Sequence, residues 1–353
     1  MKKVATIYDV AREAGVSHQT VTRYLQGFEG IRDSTRQRVE AALARLQYRP
    51  NPAARQLRLR RSNRIAVLAD RIGQGGPALI VRGVTELVQK RGYVSDIIAV
   101  DGEDPESVDA AIDLATEYQV AGILATAQTD VVLERLQRRT LAVPMVIDAQ
   151  LVDPVSGVLV GQLVGEKAAE HLLELGHRRI GYVSGPDGWF AARDRAAGFI
   201  AAVQDAGGEI VWVREGDWSA HSGYQAWQAL TADEYAVTAV AAANDSMAIG
   251  VMAAALDSGH AVPERLSVIG IDDVEESRFV RPALTTVQLD FEGEGARLAA
   301  QLIDRISLAG SASDADPMSS TGSEPYSPNL IVRSSTARVM QRPRSNSAKR
   351  RPA

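Results

Sequence analysis

The sequence predicts an α/β protein: a small helical head, a short helical link, and two doubly wound parallel-sheet subdomains. Three observations carry this. Val10, Ala11 and Ala14 lie at helical spacing, Gly15 interrupts them, and Val21 with Tyr24 or Leu25 resumes the pattern. From residue 64 onward short apolar runs alternate with amphipathic stretches, as in parallel sheets covered by helices. Charge divides along the chain: residues 1–64 hold 14 Lys and Arg against 5 Asp and Glu, whereas the whole 353-residue chain carries a net charge of −5.

Size and composition bound the answer. The chain is long enough for two or three domains, and its 45% hydrophobic and 24% charged residues describe an ordinary globular protein. No uninterrupted apolar stretch of about eighteen residues exists, so no transmembrane helix is expected. Lys2 and Lys3 have no apolar run behind them, so a secretory signal is not expected. Cysteine is absent, which excludes disulfides and cysteine-ligated metals and suits a reducing cytoplasm. The 5 histidines never fall at i,i+4 on one helix. No metal site and no cofactor are expected.

In the head, Thr6 is placed to cap the first helix, Asp9 favours its first turn, and Gly15 supplies the positive φ that ends it. Ser17 can cap a second helix starting at His18. Two short helices joined by a Gly-containing turn form the helix-turn-helix plan, whose second helix enters the DNA major groove. His18, Gln19, Thr22 and Arg23 are its exposed positions, all able to bond base edges or phosphates. Ser34 can cap a third helix, with Val39, Ala42, Leu43 and Leu46 on its buried face. Pro50 stops it. Residues 53–61 are helix-capable, with Asn51 as cap and Pro52 at the first position. At under three turns this link is too short to be stable alone, and a charged linker is the alternative.

Residues 65–69, 94–99, 122–125 and 144–147 read as strands, separated by helices near 77–91, 105–118 and 129–140. Strands at 180–183, 210–213, 237–242 and 266–271 alternate with helices near 161–175, 190–206, 220–230 and 245–258. The two groups split near 150–160. Residues 285–288 cross back, 291–308 form a long final helix, 311–323 a loose Ser-rich loop, and 329–332 a last strand. The domains are thus expected at 1–50 (head), 51–63 (hinge helix and linker), 64–337 (two-subdomain core) and 338–353 (a disordered basic tail).

Open α/β sheets bind ligands beyond the carboxyl ends of their strands. Asp148, Asn244 and Asp272 stand at such ends, with Arg195 in the helix after Gly185-Pro186 and Trp218 in the segment 214–220. Carboxylates, an amide and an arginine fork suit vicinal hydroxyls, and an indole offers a flat face for a sugar ring. That set favours a neutral, hydroxyl-rich small molecule. Each member has a plainer role as well: Asp245 as a helix cap preceded by Asn244, Asp272 and Asp273 as a solvated turn, Trp218 as packing.

Thr6-Ile7-Tyr8-Asp9-Val10-Ala11, Ala14-Gly15-Val16-Ser17 and Gln19-Thr20-Val21 resemble the opening of the lactose/galactose repressor family. The likeness continues through Thr35-Arg36, Val39, Ala42, Tyr48, Pro50-Asn51, Ala54 and Leu57, and covers roughly residues 4–340. It implies a core of periplasmic-binding-protein type and DNA contacts from Thr6, Ser17, His18, Gln19, Thr20, Thr22, Arg23, Asn51, Ala54 and Leu57. It implies further that the link is a hinge helix folding only on DNA, with Leu57 wedged into the minor groove. Effector contacts are implied at Gly76, Pro77, Ile80, Asp148, Arg195, Trp218, Asn244, Asp272 and Phe291, for a galactoside-like sugar.

Departures from the family pattern bear on specificity. Ala191 replaces a hydroxyl-bearing residue, Leu289 a glutamine, and Gln74 an aliphatic one; His18 and Tyr24-Leu25-Gln26 alter the recognition helix. No leucine heptad follows Arg338, so a homodimer without a tetramerising helix is expected, bound to a double-stranded operator. An enzyme using Asp272 and Asp273 is the first rival, disfavoured because adjacent strand residues face opposite sides. A periplasmic sugar-binding protein is the second, disfavoured by the basic head.

Overall fold

The computed structural model describes residues 5–25, 28–48, 62–126, 128–148, 151–153, 155–309 and 326–339. It divides into two compact units, Met1–Ser62 and Asn63–Ala353.

The first unit contains α1 (Ile7–Ala14), α2 (His18–Leu25) and α3 (Asp33–Arg45). A reciprocal cap opens α1: Thr6 Oγ1 accepts from the Asp9 N–H, and the Asp9 carboxylate accepts from the Thr6 N–H at 2.9 Å. Gly15 closes it with φ 61°. Ser17 Oγ accepts from the Thr20 N–H at 3.2 Å and so caps α2. Val10, Val21 and Val39, one from each helix, are fully buried, and Ala11, Ala14 and Ala42 let the helices close around them. Tyr24, not Leu25, completes the buried side of α2, its hydroxyl donating to Glu40 at 2.9 Å. The expected cap at Ser34 is not formed. α3 begins two residues earlier, with Arg32 at the cap making no side-chain bond and Asp33 in the first turn, where its charge favours the helix dipole. Asn51, Ala54 and Leu57 of the expected hinge helix lie outside the described residues.

The second unit holds two sheets. The first has order β2-β1-β3-β4, all parallel, from β1 (Arg64–Ala69), β2 (Val94–Ala99), β3 (Gly122–Ala125) and β4 (Met145–Ile147). Helices α4 (Gly75–Lys90), α5 (Pro105–Glu117) and α6 (Asp130–Arg138) connect them. The first helix starts two residues earlier than the 77 expected, at the glycine pair before Pro77. The second sheet has order β10-β9-β8-β7-β5-β6. It comprises β5 (Arg179–Ser184), β6 (Glu209–Glu215), β7 (Ala239–Ala242), β8 (Ser267–Asp272), β9 (Thr285–Gln288) and β10 (Asn329–Ile331), the last antiparallel to β9. Helices α7 (Val160–Glu174), α8 (Phe190–Asp205), α9 (Ala220–Gln228) and α10 (Asp245–Asp257) cover it. β1, β3, β7 and β8 are covered on both faces, which is why their sequences are unbroken apolar runs rather than alternating ones.

The chain passes between the subdomains before α7, after β9 and before β10. α11 (Phe291–Ala309) follows β9 yet packs into the core of the first subdomain, where Phe291, Ala299, Leu302 and Ile303 join Ile80, Val84 and Val88. α7 and α8 meet backbone to backbone. A Cβ on Gly165 would lie 2.1 Å from the Arg195 carbonyl oxygen, and one on Gly198 would lie 2.0 Å from that of Gln162. Only glycine permits that approach, and it fixes the part of α8 that carries Arg195.

Beyond Arg338 the chain continues docked for one described residue, the Val339 N–H donating to the Leu175 carbonyl at 3.0 Å. Residues 340–353 of the expected tail and the loop at 311–323 lie outside the described residues.

Candidate functional site

The carboxyl ends of the two sheets face one another across a crevice. Arg195 Nη1 donates to Asp272 Oδ1 at 3.1 Å and to the Ala243 carbonyl. Its guanidinium lies 5.7 Å from the centre of the Trp218 ring. Arg195, Trp218 and Asp272 are all buried. Asp272 has φ 121° and Trp218 φ 70°, backbone conformations rare for side-chain-bearing residues and held here by the packing around them. Burial pushes the Asp272 carboxyl up to about 6, against the pull of Arg195. Asp273 turns the other way, to Arg333 and to Gln288 Nε2 at 3.0 Å, so the adjacent aspartates do not share a site.

Asn244, and not Asp245, takes the cap offered as the plainer role of Asp245. Asn244 is the N-cap of α10, its Oδ1 accepting from the Met247 N–H at 2.9 Å while Nδ2 donates to the Trp218 carbonyl at 2.9 Å. Asp245 sits one position later, fully buried, and accepts from Ser277 Oγ (2.6 Å), Thr286 Oγ1 (2.5 Å) and the Val274 N–H (3.0 Å). Its carboxyl is pushed up to about 8 by burial and then by Asp272. A cap needs extended backbone and a free acceptor aimed at the helix start. Asn244 has both, with φ −147° and ψ 168°.

On the facing wall, Asp148 follows β4 and is 1% exposed, accepting from Gln128 Nε2 at 2.8 Å. Gly76 lies against Phe291, where an added Cβ would stand 3.0 Å from the ring's Cζ. Pro77 is half-buried beside them in the first turn of α4, and Ile80 is buried in the subdomain core behind Phe291. The two walls touch at the crevice edge. Gln74 Nε2 donates to the Asp217 carbonyl at 3.4 Å, Trp189 Nε1 to Glu103 at 3.2 Å, and the Phe190 N–H to the Gln128 carbonyl at 2.9 Å. Arg193 pairs with both oxygens of Asp130, at 2.7 and 3.0 Å.

Several residues here were not singled out from the sequence. Gln128 bonds Asp148 from the loop after β3, Trp189 bonds Glu103 from the loop after β5, and Glu294 of α11 lies close enough to raise the Asp148 carboxyl. None stands directly after an apolar run, the only signal a strand-end search uses. Trp189 had one usable sign, a tryptophan next to Gly188 in an otherwise polar turn.

In the head, His18, Gln19 and Arg23 are exposed on α2, and Thr22 and Thr20 are half-buried. Ser17 Oγ and Thr20 Oγ1 share a 3.0 Å hydrogen bond, and Thr6 is exposed while capping α1. Tyr8, also missed, is exposed with its ring 5.2 Å from that of His18, and Arg23 lies over Phe28 at 5.6 Å.

A capped helix-turn-helix unit and a two-subdomain α/β unit with a polar, aromatic-lined crevice are the parts of a ligand-responsive DNA-binding regulator. The model described as bacterial regulatory proteins, lacI family, matches residues 6–51, and that described as a periplasmic binding protein-like domain matches 169–336. The lactose operon repressor of Escherichia coli (strain K12) is 33% identical over 294 residues, spanning 82% of this chain and 81% of that one. The HTH-type transcriptional repressor PurR of Klebsiella pneumoniae (strain 342) is 32% identical over 314 residues, 86% of this chain and 91% of its own. Among solved structures, the lac repressor dimer bound to operator and the anti-inducer ONPF superposes with TM-score 0.82 at 29% identity, over 95% of this chain and 100% of that one. The chain belongs to the lacI family of bacterial regulatory proteins and is a DNA-binding transcriptional repressor.

Proposed function

We propose that this repressor binds a pseudo-palindromic operator as a homodimer in the cytoplasm and is released by a small sugar, with a galactoside the first candidate. The observation that carries the sugar reading is Arg195 bonded to Asp272 against the face of Trp218. It combines a fork donor, a carboxylate acceptor and a flat apolar surface, which together fit a ring with vicinal hydroxyls. Two heads reading matched half-sites follow from two-fold symmetry. Arg32, Arg36 and Arg55 would supply salt-dependent phosphate affinity. Sugar in the crevice would favour one closure of the subdomains, moving their dimer-facing edges and separating the paired hinge segments.

The test is fluorescence anisotropy on a symmetric operator from the upstream region of the protein's own gene, at fixed salt, with galactosides titrated in. Release at micromolar galactoside supports effector class and sign together. Tight binding that no sugar disturbs keeps the repressor and sinks the sugar effector. Near-equal identity to repressors of two different names favours one second reading, a regulator answering to another ligand or binding DNA together with it. Other hexoses, pentoses and purines are therefore titrated in the same assay.

A further inference from the structure

Trp189 joins the two walls of the crevice and touches the indole on one of them. It ends the loop after β5 and stands at the cap of α8, where its side chain makes no capping bond. It is 6% exposed. Trp189 Nε1 donates to Glu103 Oε1 at 3.2 Å, and the same oxygen lies 3.6 Å from Arg71 Nη2, so one carboxylate of the first subdomain takes both partners. The Arg71 guanidinium also lies 5.6 Å from the centre of the Trp189 ring. The main chain repeats the contact. Trp189 and Thr129 form an antiparallel bridge, with the Phe190 N–H donating to the Gln128 carbonyl at 2.9 Å. Thr129 Oγ1 in turn donates to the Gly102 carbonyl at 2.6 Å, tying the loop after β3 to the loop that carries Glu103.

On its own side Trp189 meets Trp218. The ring centres are 6.3 Å apart and the planes are inclined at 75°, an edge-to-face pair. Gly185, at the start of the same loop, lies directly against Trp218: a Cβ there would fall 2.3 Å from the ring's Cζ2. The Arg195 guanidinium stands 5.7 Å from the ring centre. Three neighbours therefore set the Trp218 indole, and two of them, Gly185 and Trp189, belong to the loop that reaches the first subdomain. Trp218 Nε1 has no hydrogen-bond partner among the described residues, so packing and not a hydrogen bond fixes this ring. Arg193 and Asp130 pair across the same rim, but their side chains are 41% and 64% exposed. Exposed ion pairs hold weakly, so the buried indole carries the connection.

We propose that Trp189 is a positioning residue, which holds Trp218 in place only while the two subdomains are closed on Glu103 and Thr129. The proposal rests on Trp218 facing the effector, as in the sugar reading above, and adds how closure and effector contact are joined. Opening the crevice breaks the Trp189–Glu103 bond and the main-chain bridge. It thereby frees the loop 185–189 and removes the edge that fixes the Trp218 ring. An effector packed on Trp218 stabilises the closed arrangement in return, because binding and closure are linked through one side chain.

The experiment follows tryptophan emission and acrylamide quenching of the full-length protein without added ligand. Of the 4 tryptophans, Trp212 and Trp227 bond within the second subdomain, to the Glu234 carbonyl and to Ser258, and report on its folding. Glu103→Ala lies in the other subdomain, yet it should shift emission to the red and raise quenching at a melting temperature close to wild type. Glu103→Gln keeps an acceptor oxygen and should restore the wild-type signal. In Trp189→Phe, which retains a ring but no donor, Trp218 should become open to acrylamide. Wild-type emission and quenching in Glu103→Ala, or a Trp218 still protected in Trp189→Phe, overturns the proposal. If Trp189→Phe fails to fold, the Glu103 variants decide. The second readout is operator release by methyl galactoside in the anisotropy assay, where Glu103→Ala should need about two- to tenfold more sugar, the range of one net hydrogen bond. An unchanged release curve with altered emission overturns the coupling. No release of the wild type by methyl galactoside counts against the galactoside reading alone, and the emission data still decide the role of Trp189.

Discussion

Arg195 Nη1 and Asp272 Oδ1 stand 3.1 Å apart, from residues separated by 77 positions, and the two side chains are equally buried at 8% exposure. A pair so desolvated adds little net stability but is costly to break on one side, because the remaining charge stays buried. It lies at the carboxyl end of β8, over the Trp218 ring, and under the proposed sugar reading it is a binding group whose state depends on pH.

That dependence has a definite sign. Asp272 is raised from the ordinary value of 3.8 to about 6, so folding favours its protonated form. Its contribution to stability is fully present below the unfolded value and is lost as pH rises through about 6. The raised value corresponds to about 3 kcal/mol between those limits. Thermal melts across this range should show wild type gaining stability on acidification relative to Asp272→Asn. Effector affinity should move the opposite way, falling below about pH 6 as the ionised acceptor is lost. Parallel pH profiles for the two proteins would remove Asp272 as the source.

Asp245 is the structural acid of the second subdomain. Replacing it with alanine strands the hydroxyls of Ser277 and Thr286 and the Val274 N–H in a buried site. The expected cost is about 3–5 kcal/mol by chemical denaturation of the core, given that three buried donors lose their acceptor. A loss below about 1 kcal/mol would show that water replaces the carboxylate there.

Gly165→Ala tests the helix contact behind the site. Its Cβ would fall 2.1 Å from the Arg195 carbonyl oxygen, so α7 and α8 must separate. A destabilisation of about 1–3 kcal/mol is expected, with weaker effector binding and operator affinity kept when no effector is present. Unchanged effector binding would mean that Arg195 is not held by this contact.

In the head, Thr6→Ala removes the reciprocal cap with Asp9 and should cost about 1 kcal/mol in its thermal stability. Gln19→Ala should cost about 1–3 kcal/mol of operator affinity and relax sequence preference, the mark of a lost base contact. A uniform loss on all DNA, accompanied by a shallower salt dependence, would instead place Gln19 on a phosphate.

Features encoded by local spacing were legible along the chain. Thr6, Asp9, Gly15 and Ser17 mark the turns of the head, because caps and positive φ are satisfied within a few residues. The alternation of runs and helices set the two-sheet plan, and the strand-end rule located Asp148, Asn244 and Asp272. Spacing did not settle which residue opens a helix: α3 starts from Arg32 rather than Ser34, and α10 is capped by Asn244 rather than Asp245, because the backbone angles decide it.

Tertiary structure alone decided which strand-end residues meet. Asp272 joins Arg195 while Asp273 joins Arg333, and Phe291 comes to Gly76 only because α11 crosses back to pack on α4 after β9. Such pairings depend on strand order, chain crossings and the desolvation they impose, and no periodicity along the chain records them.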